Sequence, residues 1–191
     1  MSEDLSGLVR TLVQCSGVKD IERRGWKVRA GVGAPESVAD HTFATALAAM
    51  MVGDLLGLDT LNLVRMALLH DVCEAITGDV QPGEMELARK EELEMAALGR
   101  LLRDLPSPLR RKYLLAFREF NSGATPESVM ARDLDRIEMA LQAIAYERRG
   151  VDGKLLDEFW KTADEKVKSR MGKAILRSAA TLRPRNSSPS P

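Results

Sequence analysis

Apolar residues recur at three- and four-residue steps through most of the chain, and no run of β-branched or aromatic residues alternates as a strand would. Leucine, alanine and methionine fill the apolar positions, with glutamate and arginine between them. The spacing predicts helices over residues 5–13, from about 36 to 56, from 59 or 60 to about 76, 84–103, 109–120 and 125–149, and one or two helices over 154–182. We therefore expect an all-α fold of seven or eight helices.

Glycine and proline separate these segments. Four glycines interrupt residues 16–34, which we interpret as a loop-rich connector. Residues 183–191 are rich in proline and serine and predict a disordered tail. The expected organisation is one domain over residues 1–182, followed by the tail over 183–191.

Composition narrows the choice of partners. Lysine plus arginine and aspartate plus glutamate both number 28, and aromatic residues make up only 4%. Neither value favours nucleic-acid binding. Cys15 and Cys73 form no CxxC pattern, which argues against a disulfide scaffold or a thiolate zinc site. The acidic start Met1–Asp4 lacks the pattern of a signal peptide, and the longest apolar stretch, 43–52, is too short for a membrane span. We expect a cytoplasmic protein without membrane or nucleic-acid partners.

Both histidines of the chain stand beside acidic residues. His41 follows Asp40, whereas His70 precedes Asp71 and lies one helical turn before Glu74. The helical spacing places His70 and Glu74 on one otherwise apolar face. The alternative is a pair of core histidines bonded to their neighbours, but burying His70, Asp71 and Glu74 together would be costly without a cation. The pattern predicts a metal site.

A third helix offers two further candidate ligands. Asp133 and Asp135 lie within a strongly apolar helical segment. A solvated face with aspartate–arginine pairs is the alternative interpretation. Spacing alone does not choose between the two aspartates.

Four segments resemble a known family when they are taken in order. They are residues 25–29, 35–41, 69–79 and 134–139, and they carry His41, the pair His70-Asp71 and Asp135. The chain resembles the HD-domain metal-dependent phosphohydrolases over about residues 18–147. Within them it is most similar to the 5′-deoxynucleotidase (YfbR-like) group. The resemblance implies an HD-domain helical bundle, with Asp135 as a ligand and Asp133 as a neighbour.

The resemblance also implies roles for residues around the metal. Glu74 and Asp79 correspond to acidic residues that assist catalysis, with the division between acid and base left open. An arginine upstream of Trp26 would bind the substrate phosphate; Arg23 and Arg24 are both available, and we favour Arg23. Trp26 is either a substrate contact or a residue that anchors the loop.

The implied function is hydrolysis of deoxyribonucleoside 5′-monophosphates by metal-activated water. One divalent ion would be held by His41, His70, Asp71 and Asp135, and this donor set leaves cobalt, manganese, nickel, zinc, iron and magnesium open. The expected partners are the nucleoside monophosphate and further copies of the chain, as a homodimer or larger homo-oligomer. The alternatives are an HD phosphohydrolase acting on a nucleoside triphosphate or cyclic nucleotide, and a non-catalytic helical regulatory module.

Overall fold

The structure is a computed structural model that describes residues 5–81 and 83–184. Within these ranges the secondary structure is helical, which confirms the expected all-α class. The helices are α1 Leu5–Cys15, α2 Arg24–Ala30, α3 Val38–Leu56, α4 Thr60–Leu69, α5 Glu74–Thr77, α6 Leu87–Leu101, α7 Ser107–Ser122, α8 Pro126–Arg148, α9 Gly153–Lys166 and α10 Arg170–Ala180.

The described residues contain more helices than the seven or eight expected, because two segments are more finely divided. The connector over 16–34 holds a 3₁₀ helix, Ser16–Asp20, and α2, so its glycines do not keep it irregular. The helix expected through His70 ends at Leu69, and α5 begins separately at Glu74.

Helix α8 lies at the centre of the larger hydrophobic core and contacts α3, α4, α7, α9 and α10. Leu134, Ile137 and Ala140 on α8 are fully or almost fully buried. A second cluster joins α6 and α7 to Val72 and Cys73. Leu69 packs against both clusters, so the turn that carries His70 and Asp71 lies where they meet.

The start of α3 is fixed by a reciprocal cap. The Ser37 hydroxyl accepts a hydrogen bond from the Asp40 backbone N–H, and the Asp40 carboxylate accepts one from the Ser37 backbone N–H. These bonds satisfy backbone groups at the helix end. The Ser37 hydroxyl also donates to the Asp40 carboxylate, and this bond, followed by the one from the Ser37 backbone N–H, lowers the pKa of Asp40. Asp40 therefore serves the cap, while His41 beside it is fully buried.

The predicted tail over residues 183–191 lies outside the described residues from residue 185 onward. Arg183 itself forms ion pairs with Glu147 and Asp157 and is thereby held against α8 and α9. In the part of the chain that the structure describes, no helix combines the length and apolarity needed to cross a membrane.

Candidate metal centre and active-site cavity

The four predicted ligand side chains lie around one point. The His41 Nε2 atom lies 3.2 Å from His70 Nε2 and 3.3 Å from Asp135 Oδ1. The Asp71 Oδ2 atom lies 3.1 Å from His70 Nε2 and 3.8 Å from His41 Nε2. These atoms come from α3, from the turn after α4 and from α8. A single ion with ligand bonds of about 2.1 Å would bring neighbouring donors about 3 Å apart, which agrees with these separations.

The hydrogen bonds of the two imidazoles favour a cation between them. The His70 Nδ1 atom lies 2.7 Å from the Ala67 carbonyl oxygen, which can only accept, so His70 donates from Nδ1. The His41 Nδ1 atom is bonded to the Glu138 carboxylate. When both imidazoles are neutral, their Nε2 atoms therefore present lone pairs to each other and to two carboxylates. A divalent metal ion fits this donor set, because it resolves the repulsion between the lone pairs.

Two adjacent predicted ligands, His70 and Asp71, lie in the turn between α4 and α5. Neighbouring side chains in a continuous α-helix diverge by about 100°. Here the backbone forms tighter bonds from Val72 to Leu69 and from Glu74 to Asp71. His70 and Asp71 nevertheless both reach the site, where His70 Nε2 and Asp71 Oδ2 lie 3.1 Å apart.

The charges of the ligands depend on one another. Burial opposes ionisation of Asp71, but His70, His41 and Arg23 outweigh it and lower the pKa of that carboxyl. Burial and Arg23 both act to lower the pKa of His41, yet Asp135 and Glu138 raise it to about 9. In the metal-free protein His41 therefore binds a proton, and its positive charge offsets part of the negative charge of the nearby carboxylates.

Arg23 faces the metal centre, whereas Arg24 does not. The Arg23 Nη1 atom donates to Asp71 Oδ2 at 3.3 Å, and the side chain is only 17% exposed. The Arg24 side chain is 51% exposed and pairs with Glu84. Of the two candidates, Arg23 is the one that lines the cavity beside Asp71.

The two predicted catalytic acids line the same cavity. Glu74 is 5% exposed, and its Oε2 atom has no hydrogen-bond partner among the described residues. Burial, then repulsion from Asp71 and Asp79, raises the pKa of Glu74 to about 10. Asp79 follows Gly78, whose φ of +70° turns the chain back, and its Oδ2 atom accepts the Arg24 backbone N–H at 2.6 Å. Burial raises the pKa of Asp79 as well.

Trp26 contributes to the wall of the cavity but is only 1% exposed. Its ring stacks on Phe159 with centroids 4.0 Å apart and meets Tyr146 edge-on at 5.1 Å. Its indole N–H donates to Glu36 Oε1 at 2.9 Å. These contacts are those of a residue that anchors α2, and a substrate contact stays a prediction.

The cavity above the metal centre has a volume of about 280 Å³. Its walls are mixed in character. They include apolar side chains (Phe120, Met139 and Phe159), basic ones (Lys90, Arg132 and Arg136) and, beside the acids already described, Glu91 and Glu94. The volume is close to the lower end of small-molecule sites, about 300 Å³. The volume and the mixed lining are those of a site for a small, partly polar molecule.

The second aspartate of α8 has a different place. The Asp133 carboxylate accepts the backbone N–H groups of Lys168 and Ser169, each at 2.7 Å. It is 1% exposed and holds the start of α10 rather than facing the cavity. The structure thus separates two acids that helical spacing could not.

Sequence reasoning gave neither Glu138 nor Glu36 a role in the site, yet both contact residues of the site. Glu138 orients His41, and Glu36 lies close enough for its carboxylate to join His41 and Glu138 in a second cluster. Burial, then repulsion from Glu138, raises the pKa of Glu36 to about 7. The available signal for Glu138 was an acid one turn after Asp135 on a buried helix face.

The HD domain family model matches residues 15–175, which is most of the chain. The chain belongs to the HD domain family. Among curated members, the mouse 5′-deoxynucleotidase HDDC2 is 34% identical over 163 residues, covering 83% of this chain and 79% of the mouse protein. The 5′-deoxynucleotidase hdd1 of Schizosaccharomyces pombe is 32% identical, covering 75% of this chain and 74% of the yeast protein.

Solved structures share this HD-domain fold. A protein from Pyrococcus horikoshii OT3 superposes with a TM-score of 0.76 at 28% identity, covering 91% of this chain and 99% of the other. A conserved hypothetical protein from Pyrococcus furiosus gives a TM-score of 0.75 at 27% identity, with coverages of 92% and 98%. The helical arrangement is therefore common to this chain and both archaeal proteins.

Proposed function

We propose that this HD-domain protein is a metal-dependent 5′-deoxynucleotidase that removes phosphate from deoxyribonucleoside 5′-monophosphates. The observation that carries the proposal is the convergence of His41, His70, Asp71 and Asp135 beneath a cavity that also holds Arg23 and Glu74. The relatives named 5′-deoxynucleotidases support the choice of substrate class. One divalent ion among cobalt, manganese, nickel, zinc, iron and magnesium is the expected cofactor.

A divalent ion held by these four side chains would supply Lewis-acid catalysis and a water of lowered pKa. Arg23 adds a fixed positive charge at the same place. Its Nη1 atom is already 3.3 Å from a ligand oxygen of Asp71, so a phosphate that approaches the metal also approaches the guanidinium. Two cationic groups beside one phosphate stabilise the negative charge that develops on its oxygens as the phosphorus is attacked.

Two carboxyl groups are available to move protons. Glu74 has a buried oxygen without a partner, and Asp79 has one oxygen engaged by the Arg24 backbone. One of them takes a proton from the attacking water, and the other returns a proton to the leaving 5′-oxygen. Comparing pH–rate profiles of Glu74→Gln and Asp79→Asn assigns the roles: loss of the base removes the acidic limb, and loss of the acid removes the alkaline limb.

The experiment that tests the function measures phosphate release from paired ribo- and deoxyribonucleoside 5′-monophosphates, with each candidate divalent ion added in turn. We expect faster release from the deoxy member of each pair. Triphosphates and cyclic nucleotides in the same panel test the alternative HD activities. Release from those nucleotides but not from monophosphates would contradict the proposal.

The matched control for this experiment is a second aspartate variant. Asp71→Ala removes a predicted ligand and should abolish both metal binding and turnover. Asp54→Ala changes an exposed aspartate that is bonded to Thr60, far along α3 from His41, and should leave both unchanged. An inactive wild-type protein that binds the metal would instead favour the non-catalytic module.

We also propose that the chain forms a homodimer or larger homo-oligomer through α3. Five apolar side chains at helical spacing form an exposed stripe on this helix: Phe43, Leu47, Met50, Met51 and Leu55. A continuous exposed apolar face of this kind is typical of a protein interface. Met51→Glu should reduce the mass measured by analytical ultracentrifugation toward that of one chain, and a wild-type protein that sediments as a monomer would refute the proposal.

A further inference from the structure

Glu36 lies behind the metal centre and joins two residues of the cavity wall. Its side chain is 6% exposed. The Oε1 atom lies 3.4 Å from Arg23 Nε and accepts the Trp26 indole N–H at 2.9 Å. One buried carboxylate therefore contacts the residue that faces the phosphate position and the residue that anchors α2.

Backbone hydrogen bonds also fix Arg23 and Glu36 relative to each other. Glu22 and Ser37 form an isolated antiparallel bridge, and the Arg23 backbone N–H donates to the Glu36 carbonyl at 3.0 Å. The Glu36 backbone N–H donates to the Tyr146 hydroxyl at 2.8 Å, which ties this segment to α8. Because both main chains are held, Glu36 presents its carboxylate to Arg23 from a rigid position.

The guanidinium of Arg23 is divided between two carboxylates. Its Nε atom faces Glu36, and its Nη1 atom faces Asp71. Within residues 5–81 and 83–184, Nη2 donates no hydrogen bond, although Arg23 lines the cavity. Burial opposes the charge on Arg23, but Asp71 and Glu36 outweigh it and raise the pKa of the guanidinium. The group stays charged and keeps a donor for an anion.

We propose that Glu36 is a positioning residue that aims the Arg23 guanidinium at the substrate phosphate. A planar guanidinium recognises phosphate through a pair of N–H groups whose direction matters. A carboxylate paired with Nε fixes the plane of the guanidinium and leaves the Nη2 donor available to the phosphate. The inference rests on the proposed phosphomonoesterase activity, and it adds a determinant of substrate affinity that is not a metal ligand.

The geometry also offers Glu36 a second role, through His41, and the two roles predict different effects on metal affinity. Its carboxylate is also near the His41 and Glu138 ligand atoms. If Glu36 acted through His41, its loss would weaken metal binding. If it acts through Arg23, metal affinity is kept and phosphate affinity falls.

The test compares Glu36→Gln with Glu22→Gln, at a pH well above 7 so that Glu36 is ionised. The Glu22 side chain is 50% exposed and pairs with Lys27, so Glu22→Gln makes the same chemical change without removing a carboxylate that pairs with the Arg23 guanidinium. For Glu36→Gln we expect kcat/KM for a deoxyribonucleoside 5′-monophosphate to fall by about tenfold or more, mostly through KM, as is usual when a charge-assisted contact is lost. Inhibition by inorganic phosphate should weaken in parallel. Glu22→Gln should match the wild type.

A double-mutant cycle with Arg23→Ala gives the decisive result. If Glu36 acts through Arg23, adding Glu36→Gln to Arg23→Ala should change KM by less than about twofold, because residues that act as a unit are not additive. Additive losses, an unchanged KM in Glu36→Gln, or a loss of metal affinity measured by calorimetry would each overturn the inference. Should Glu36→Gln fail to fold, Glu36→Asp keeps the charge one methylene further from Arg23 and enters the same cycle with the same expectations. Wild-type protein that releases no phosphate would refute the proposed function itself, a result distinct from all of these.

Discussion

The two buried aspartates of α8 should fail in opposite ways when each is changed to asparagine. Asp133 holds the start of α10 through two backbone N–H groups at 2.7 Å. Asp135 faces His41 Nε2 at 3.3 Å. Asp133→Asn should therefore lower stability and keep metal binding, whereas Asp135→Asn should lose metal binding and leave the fold intact.

The magnitude for Asp133 follows from its contacts. Each hydrogen bond to a buried charged group contributes about 1.5–3 kcal/mol. Asparagine keeps one acceptor oxygen but turns an amide N–H toward the second donor, so Asp133→Asn should cost about 2–4 kcal/mol. For a chain of this size that corresponds to a fall in Tm of about 5–15 °C.

The assay is thermal unfolding of the metal-free proteins, paired with calorimetric titration of one divalent ion. Each variant serves as the control for the other, because both change an aspartate of α8 to asparagine. An Asp133→Asn protein that melts with the wild type, or that loses the ion, would refute the structural assignment. So would an Asp135→Asn protein that binds the ion with wild-type affinity.

Three further outcomes follow from contacts around the site. Glu138→Gln should weaken metal binding by about 10- to 100-fold, because Glu138 orients the ligand His41, and an unchanged affinity would show that the bond is dispensable. The pKa of about 9 for His41 means that binding of an ion must expel a proton. Calorimetry should therefore show affinity rising about tenfold per pH unit toward pH 9 and levelling above it, whereas a flat profile would argue against protonation of the free site. A Cβ on Gly172 would stand 2.5 Å from Asp133 Oδ2, so Gly172→Ala should lower Tm much as Asp133→Asn does, and a neutral change would mean that α10 can shift.

The helical class could be predicted because it depends on local spacing. Amphipathic repeats and caps are encoded within a few residues, as at Ser37 and Asp40 before His41. The helix boundary at His70 was wrong by several residues. There the His70 side chain bonds to the Ala67 carbonyl and the backbone tightens, a change that apolar periodicity does not register.

The supporting residues of the site could not be found in the same way. Glu36 and Asp133 act on partners at least 13 positions away in the sequence, such as Arg23 and Lys168. Nothing in local spacing distinguishes a buried acid that caps a helix from one that binds a metal. The family resemblance favoured Asp135 over Asp133 as a ligand, and this choice stays a prediction. Asp135 lies beside His41, whereas Asp133 bonds to the backbone at the start of α10.

The central claim is that four side chains from three segments hold one catalytic ion, and a metal titration tests it most directly. Metal-free protein is supplied with increasing divalent ion while phosphate release from a deoxyribonucleoside 5′-monophosphate is measured. The account predicts no release without metal and a rate that saturates at one bound ion per chain. Full activity in metal-free protein, or activity that Asp135→Asn retains with the same metal dependence, would contradict it.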